Sequence, residues 1–171
     1  MTIRYKVVPP ARGQNVLFEA VRALPLVPGD EDDCCARIRD RTAVESRAEA
    51  RQWLTFAVAL GLAAETDRGF HRIRDAPDSA VLADRLRARV YPTRELLGLL
   101  DAEGTLSALE AFERLRDDLP QWERSRRTDW DAEWRERIEH LLDWCVIFGL
   151  VERTDGGYLP GNVQADAERI D

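Results

Sequence analysis

The chain has 171 residues, with 32 Asp and Glu against 25 Lys and Arg, a formal net charge of −7 and a pI near 5.0. That balance excludes a protein that coats nucleic acid by bulk positive charge; any phosphate contact must come from a local arginine patch. Hydrophobic residues make up 44%, enough for packed cores, and no apolar run reaches the length of a membrane span.

Residues 3–8 alternate in polarity and end at Pro9-Pro10, which predicts an edge strand or extended arm. Val16, Leu17, Ala20, Val21 and Leu24 have helical spacing, and Pro25 stops that run before a turn at Pro28-Gly29. Residues 30–33 are all acidic and predict a helix start, with Cys34, Cys35 and Ile38 on its inner face. Ser46 followed by Glu49 is a capping-box pattern opening a helix that runs to Leu60 and stops at Gly61. Residues 63–65 and 70–73, joined by Asp67-Arg68-Gly69, read as a hairpin. Three helices and a hairpin make a winged helix-turn-helix: the two-stranded wing closes the open side of a core that three short helices cannot cover.

The same grammar then returns. Arg47, Leu54, Val58, Gly61-Leu62, Thr66-Asp67 and Gly69-Phe70 align without gaps on Arg135, Leu142, Val146, Gly149-Leu150, Thr154-Asp155 and Gly157-Tyr158. Such self-similarity predicts two copies of one supersecondary unit. The predicted fold is mainly α with small β wings, as two tandem winged helix-turn-helix units. Unit 1 with its N-terminal arm spans 1–74, a linker 75–80, unit 2 81–160 and a polar tail 161–171. In unit 2, residues 81–90 and 93–100 read as helices, Ser107 with Glu110 caps a helix over 108–115, and a longer helix covers 131–148 before a wing over 151–159. Arg37 to Arg47 is a step of ten and Arg114 to Arg135 a step of twenty-one, so the second copy holds an insert, roughly 119–129.

Little in the chain suggests catalysis. His71 and His140 are the only histidines, and neither has a triad-like arrangement around it. No phosphate-binding glycine loop, nucleophile elbow or Cys/His metal spacing occurs, so no enzyme, metal or cofactor is expected. Cys34, Cys35 and Cys145 read as reduced structural thiols, consistent with a cytoplasmic protein.

The binding candidates lie on the third helix and wing of unit 1. Arg47, Arg51, Gln52 and Thr55 form its outward face, with Arg68, His71, Arg72 and Arg74 on the wing. Arg and Gln can read base edges of double-stranded DNA and Thr can touch a phosphate. The structural alternative pairs Arg47 and Arg51 with Glu45 and Glu49 on the helix surface. In unit 2, Arg51, Gln52 and Thr55 become Glu139, His140 and Asp143, and Arg68, His71 and Arg72 become Gly156, Leu159 and Pro160. That unit therefore reads as a dimerisation or partner-binding module. In and beside its insert, Trp122, Arg124, Arg126, Arg127 and Trp130 are suited to stacking bases or to anchoring a protein interface. Nearby Glu123, Asp129 and Asp131 favour packing or an interface.

The near-absence of Lys (Lys6 alone) with abundant Arg and an acidic surface resembles proteins of salt-adapted archaea. The GL-x-x-x-T-D-x-G-[FY] segments, Gly61 to Phe70 and Gly149 to Tyr158, resemble the helix-to-wing junction of archaeal tandem winged-helix transcriptional regulators. That resemblance implies a DNA-binding regulator. A second resemblance, to the acidic tandem winged helices of chromosome-organising complexes that clasp a kleisin subunit, implies an adaptor without DNA.

Overall fold

A computed structural model describes residue 5 and residues 8–75, 77–119 and 128–161. The chain divides into two compact units, Met1–Val90 and Tyr91–Asp171.

In the first unit, α1 (Gln14–Ala23), α2 (Glu31–Arg41) and α3 (Arg47–Ala59) precede an antiparallel ribbon of β1 (Ala63–Thr66) and β2 (Gly69–Arg72). Asp30 caps α2 by accepting from the Asp33 amide, and Glu31, Asp32 and Asp33 place negative charge at the helix's positive end. Ser46 caps α3 by accepting from the Glu49 amide. The return half of the box is diverted: the Glu49 carboxylate accepts from Arg12 at 2.9 Å. Leu17, Ile38, Trp53, Leu54 and Phe56 are buried between the three helices.

The first unit carries a further helix, α4 (Ser79–Arg89), which the repeat reading places at the start of the second. Leu82 and Leu86 are buried, and Arg85 and Arg89 donate to the carbonyls of Leu60 (2.8 Å) and Ala59 (3.3 Å). Cations at the carbonyl end of α3 satisfy acceptors that have no partner within the helix. Of the predicted N-terminal arm only Tyr5 and Val8 are described, and Tyr5 makes one parallel bridge to Val90.

The second unit holds α5 (Thr93–Glu103), α6 (Ala108–Leu115), a 3-10 turn at Arg116–Asp118, and α7 (Trp130–Ile147). Its ribbon pairs β3 (Val151–Thr154) with β4 (Gly157–Pro160). Here the capping box is complete: Ser107 accepts from the Glu110 amide and the Glu110 carboxylate from the Ser107 amide. Bonds to the carboxylate from the Ser107 amide, and after it from the Ser107 hydroxyl, hold the Glu110 carboxyl below its ordinary pKa.

The shared junction motif has a mechanical reading. Leu62 and Gly61 donate to the Ala57 and Val58 carbonyls, and Leu150 and Gly149 donate to those of Cys145 and Val146. This is a Schellman stop, and its glycine sits at φ +74 in one copy and +79 in the other. Thr66 and Thr154 each bond across the wing turn to the carbonyl of Gly69 or Gly157. Those two glycines have φ +126 and +133, and a Cβ on either would strike a backbone carbonyl, Gly29 or Leu106. The close approach exists because Phe70 pairs with Gly29 and Tyr158 with Leu106, adding a one-residue third strand to each wing. That strand escapes sequence reading, since a single bridge has no periodicity.

Candidate nucleic-acid interface

α3 presents its inner face to the core through Trp53, Leu54, Phe56 and Ala57. Helical spacing leaves Arg47 and Arg51 one turn apart on the outer face, exposed, with Gln52 and Thr55 half-exposed beside them.

The two arginines do not pair with Glu45 and Glu49. Arg47 bonds Asp32, and Arg51 Nε lies 2.8 Å from Glu31 Oε1. The packing of α2 on α3 brings the acidic first turn of α2 against the arginine ridge, and Glu49 is already engaged by Arg12. The side chains of Arg47 and Arg51 remain 63% and 70% exposed. Exposed pairs of this kind contribute about 0–1 kcal/mol each, so an incoming phosphate can displace the carboxylate.

Between α3 and the ribbon lies an open depression of about 150 Å³, lined by Tyr5, Glu31, Arg51, Thr55, Glu65 and Phe70 among others. Arg68 is exposed in the wing loop and makes no ion pair among the described residues. His71 is half-exposed, and its Nδ1 lies 3.1 Å from the Arg72 carbonyl. Strand alternation puts it on the opposite face of the ribbon from Phe70, which lines the depression beside α3.

Arg72 and Arg74 stand elsewhere. They line a separate groove together with α1 residues, and no residue of α3 contributes to it. The sequence candidates of unit 1 thus divide into Arg47, Arg51, Gln52, Thr55 and Arg68 at α3 and the wing tip, Arg72 with Arg74 beside α1, and His71, which lines neither depression.

Unit 2 keeps the scaffold but ties the corresponding wing-side positions to one another, and its own depression, about 340 Å³, is lined by Ala108, Leu109, Ala132, Arg135, Glu136 and Glu139. Leu141, Leu142, Trp144 and Cys145 are buried where Trp53, Leu54, Phe56 and Ala57 are buried in the first copy. The Thr55, Glu65 and Phe70 positions hold Asp143, Arg153 and Tyr158. The Tyr158 hydroxyl donates to Asp143 Oδ1 at 2.6 Å, and Arg153 lies 3.6 Å from the same oxygen and 5.5 Å from the Tyr158 ring centroid. Burial, then the Asp143 bond, pushes the tyrosine hydroxyl above its ordinary pKa. This triplet is missed when each copy is read alone; the joint change of three facing positions between copies is the signal that reveals it. Arg135 is exposed and Glu139 faces solvent beside it, while His140 sits 3.9 Å from Glu136.

Of the insert residues, Trp122, Arg124, Arg126 and Arg127 lie outside the described residues. Trp130 opens α7, with the Arg116 guanidinium 5.4 Å from its ring centroid and Phe112 at 6.3 Å. Trp134 is buried against Tyr91, edge to face at 6.1 Å, with Arg137 over its ring at 4.9 Å. The three cysteines are buried and joined in no disulfide, and burial raises the Cys34 thiol to about 11. Among the described residues, no cluster of three or more His, Cys, Asp or Glu could hold a metal, and no helix is long and apolar enough to cross a membrane.

Two helix-ribbon units of matching burial, with matching junctions, pose a family question that a comparison answers. The model of the Halobacterial double winged helix domain matches residues 3–164. The chain belongs to this family. As a halobacterial double winged helix protein it is a tandem, halophile-type molecule, mostly helical with small antiparallel wings. Searches of curated proteins and of solved structures find no match.

Proposed function

We propose that this double winged helix protein is a non-enzymatic, cytoplasmic DNA-binding transcriptional regulator. In this reading the first unit contacts duplex through Arg47, Arg51, Gln52, Thr55 and Arg68. The second unit pairs with itself or with a protein partner. The supporting observation is the contrast between copies: on one scaffold, the first has an arginine-bearing depression beside the wing, whereas in the second Tyr158, Asp143 and Arg153 bond one another at the wing-side positions and Glu139 replaces Arg51. Arg and Gln on an exposed helix face suit major-groove edges, and a wing arginine suits the flanking phosphate.

The test is a duplex-shift assay over a KCl series, comparing wild type with Arg47→Ala/Arg51→Ala. If each arginine neutralises one phosphate, the slope of log K against log salt falls by about 1.8. Equal binding by both proteins, or none by either, rejects the assignment. One observation favours a second reading, an acidic adaptor without DNA: α2 already supplies carboxylates to both arginines. Under that reading wild type shifts no duplex at any salt.

A further inference from the structure

The first unit carries a second surface that the duplex reading does not use. α1, the residues after Pro25 and the end of β2 enclose a groove of about 500 Å³. Its floor is apolar: Phe18, Val21, Leu26 and Ile73. Its rim is Arg22, Arg72 and Arg74, and no carboxylate lines it.

The formation of the groove follows from the local chain. Pro25 ends α1, and its carbonyl accepts from the Arg72 amide at 2.9 Å, so the Leu26-Val27 step is held against the end of β2. Leu26, Val27 and Ile73 are left 43%, 75% and 37% exposed. Contiguous apolar surface rimmed by charge marks a binding site more often than solvent-facing structure.

The charge on the rim is uncompensated. Five arginines of this unit, Arg12, Arg37, Arg47, Arg51 and Arg87, have carboxylate partners. Among the described residues, Arg22, Arg72 and Arg74 have none. Arg72 Nε is in addition shielded from water without a hydrogen-bond partner. A shielded unpaired donor is costly, and a carboxylate brought into the groove relieves that cost when the guanidinium turns to it.

We propose that this groove docks an acidic amphipathic helix of a partner protein. Apolar side chains at i, i+3, i+4 and i+7 would lie on Phe18, Val21, Leu26 and Ile73, with flanking Asp or Glu on Arg22, Arg72 and Arg74. Charge complementarity selects an acidic occupant, in a chain whose own net charge would repel acidic segments elsewhere. The proposal stands apart from the duplex reading, because Arg22 and Ile73 take no part in that reading.

The experiment uses the full chain and two short fluorescein-labelled helical peptides of identical Leu/Phe pattern, one with Glu and one with Lys at the flanking positions. Fluorescence polarisation should show binding of the Glu peptide alone. The Ile73→Asp variant, and separately Arg22→Glu, should weaken it about tenfold or more. Both sites are at the surface, and an unchanged thermal transition confirms folding. Amide NMR shifts should cluster at Phe18, Val21, Leu26 and Ile73. Equal binding of both peptides, undiminished binding by both variants, no binding of the Glu peptide, or full displacement by decanoate with shifts confined to the groove floor would each overturn the proposal. Duplex affinity should be the same in wild type and both variants, so failure here is separable from failure of the duplex reading.

Discussion

Neutralising the carboxylates that hold the α3 arginines should raise affinity for duplex and lower stability together. The perturbation is Glu31→Gln/Asp32→Asn. Glu31 and Asp32 occupy the first turn of α2 and pair with Arg51 and Arg47. Each contributes about 0.3–1 kcal/mol through the helix dipole and about 0–1 kcal/mol through its exposed ion pair. The double variant should therefore lose roughly 0.6–4 kcal/mol of unfolding free energy in the first unit. Binding moves the other way. Two arginines no longer exchange a carboxylate for a phosphate, and two negative charges no longer face the duplex. If each released pair returns up to about 1 kcal/mol, affinity rises by up to roughly thirtyfold. The assays are calorimetric melting and fluorescence anisotropy with a labelled random-sequence duplex, at matched KCl. The gain should shrink toward high salt, where the screening length falls to about 3 Å at 1 M. Unchanged or weaker binding by a folded variant would refute the view that α2 restrains these arginines.

Three further outcomes test the scaffold. Gly69→Ala forces a Cβ into the Gly29 carbonyl at a positive φ, and should cost about 2–4 kcal/mol by denaturant melting, from backbone strain plus the two Gly29–Phe70 bonds. Arg85→Ala removes a charged donor from the Leu60 carbonyl and should cost about 1–2 kcal/mol by calorimetry; no change would mean that α4 does not support α3. For Cys34, burial raises the thiol from 9.0 to about 11, so the folded state disfavours the thiolate. Its stabilising effect is complete below pH 9 and is lost as pH rises toward 11, so stability should fall across that window. Native protein at neutral pH should resist a thiol reagent that labels it once unfolded.

The sequence by itself determined the parts built from neighbours along the chain. Helix starts at Asp30, Ser46 and Ser107 follow from side chains that reach amides three residues on. The Gly-Leu stop and the Thr-to-Gly wing turn are likewise local, which is why the copies can be aligned by eye and the tandem winged fold read from them. The inner faces of α3 and α7 follow from helical period alone. Tertiary packing decided what distant segments do to one another. It set Asp32 and Glu31 against Arg47 and Arg51, because only the docking of α2 on α3 makes those side chains neighbours. It joined α4 to the first unit through two arginine-to-carbonyl bonds that leave no pattern in sequence. It also drew Arg72 and Arg74 away from α3 to the groove beside α1, since a strand pairs with whichever edge lies open, and here that edge follows Pro25. Local chemistry is written in spacing, whereas the surroundings of a charge are fixed only when helices and ribbon close on one core.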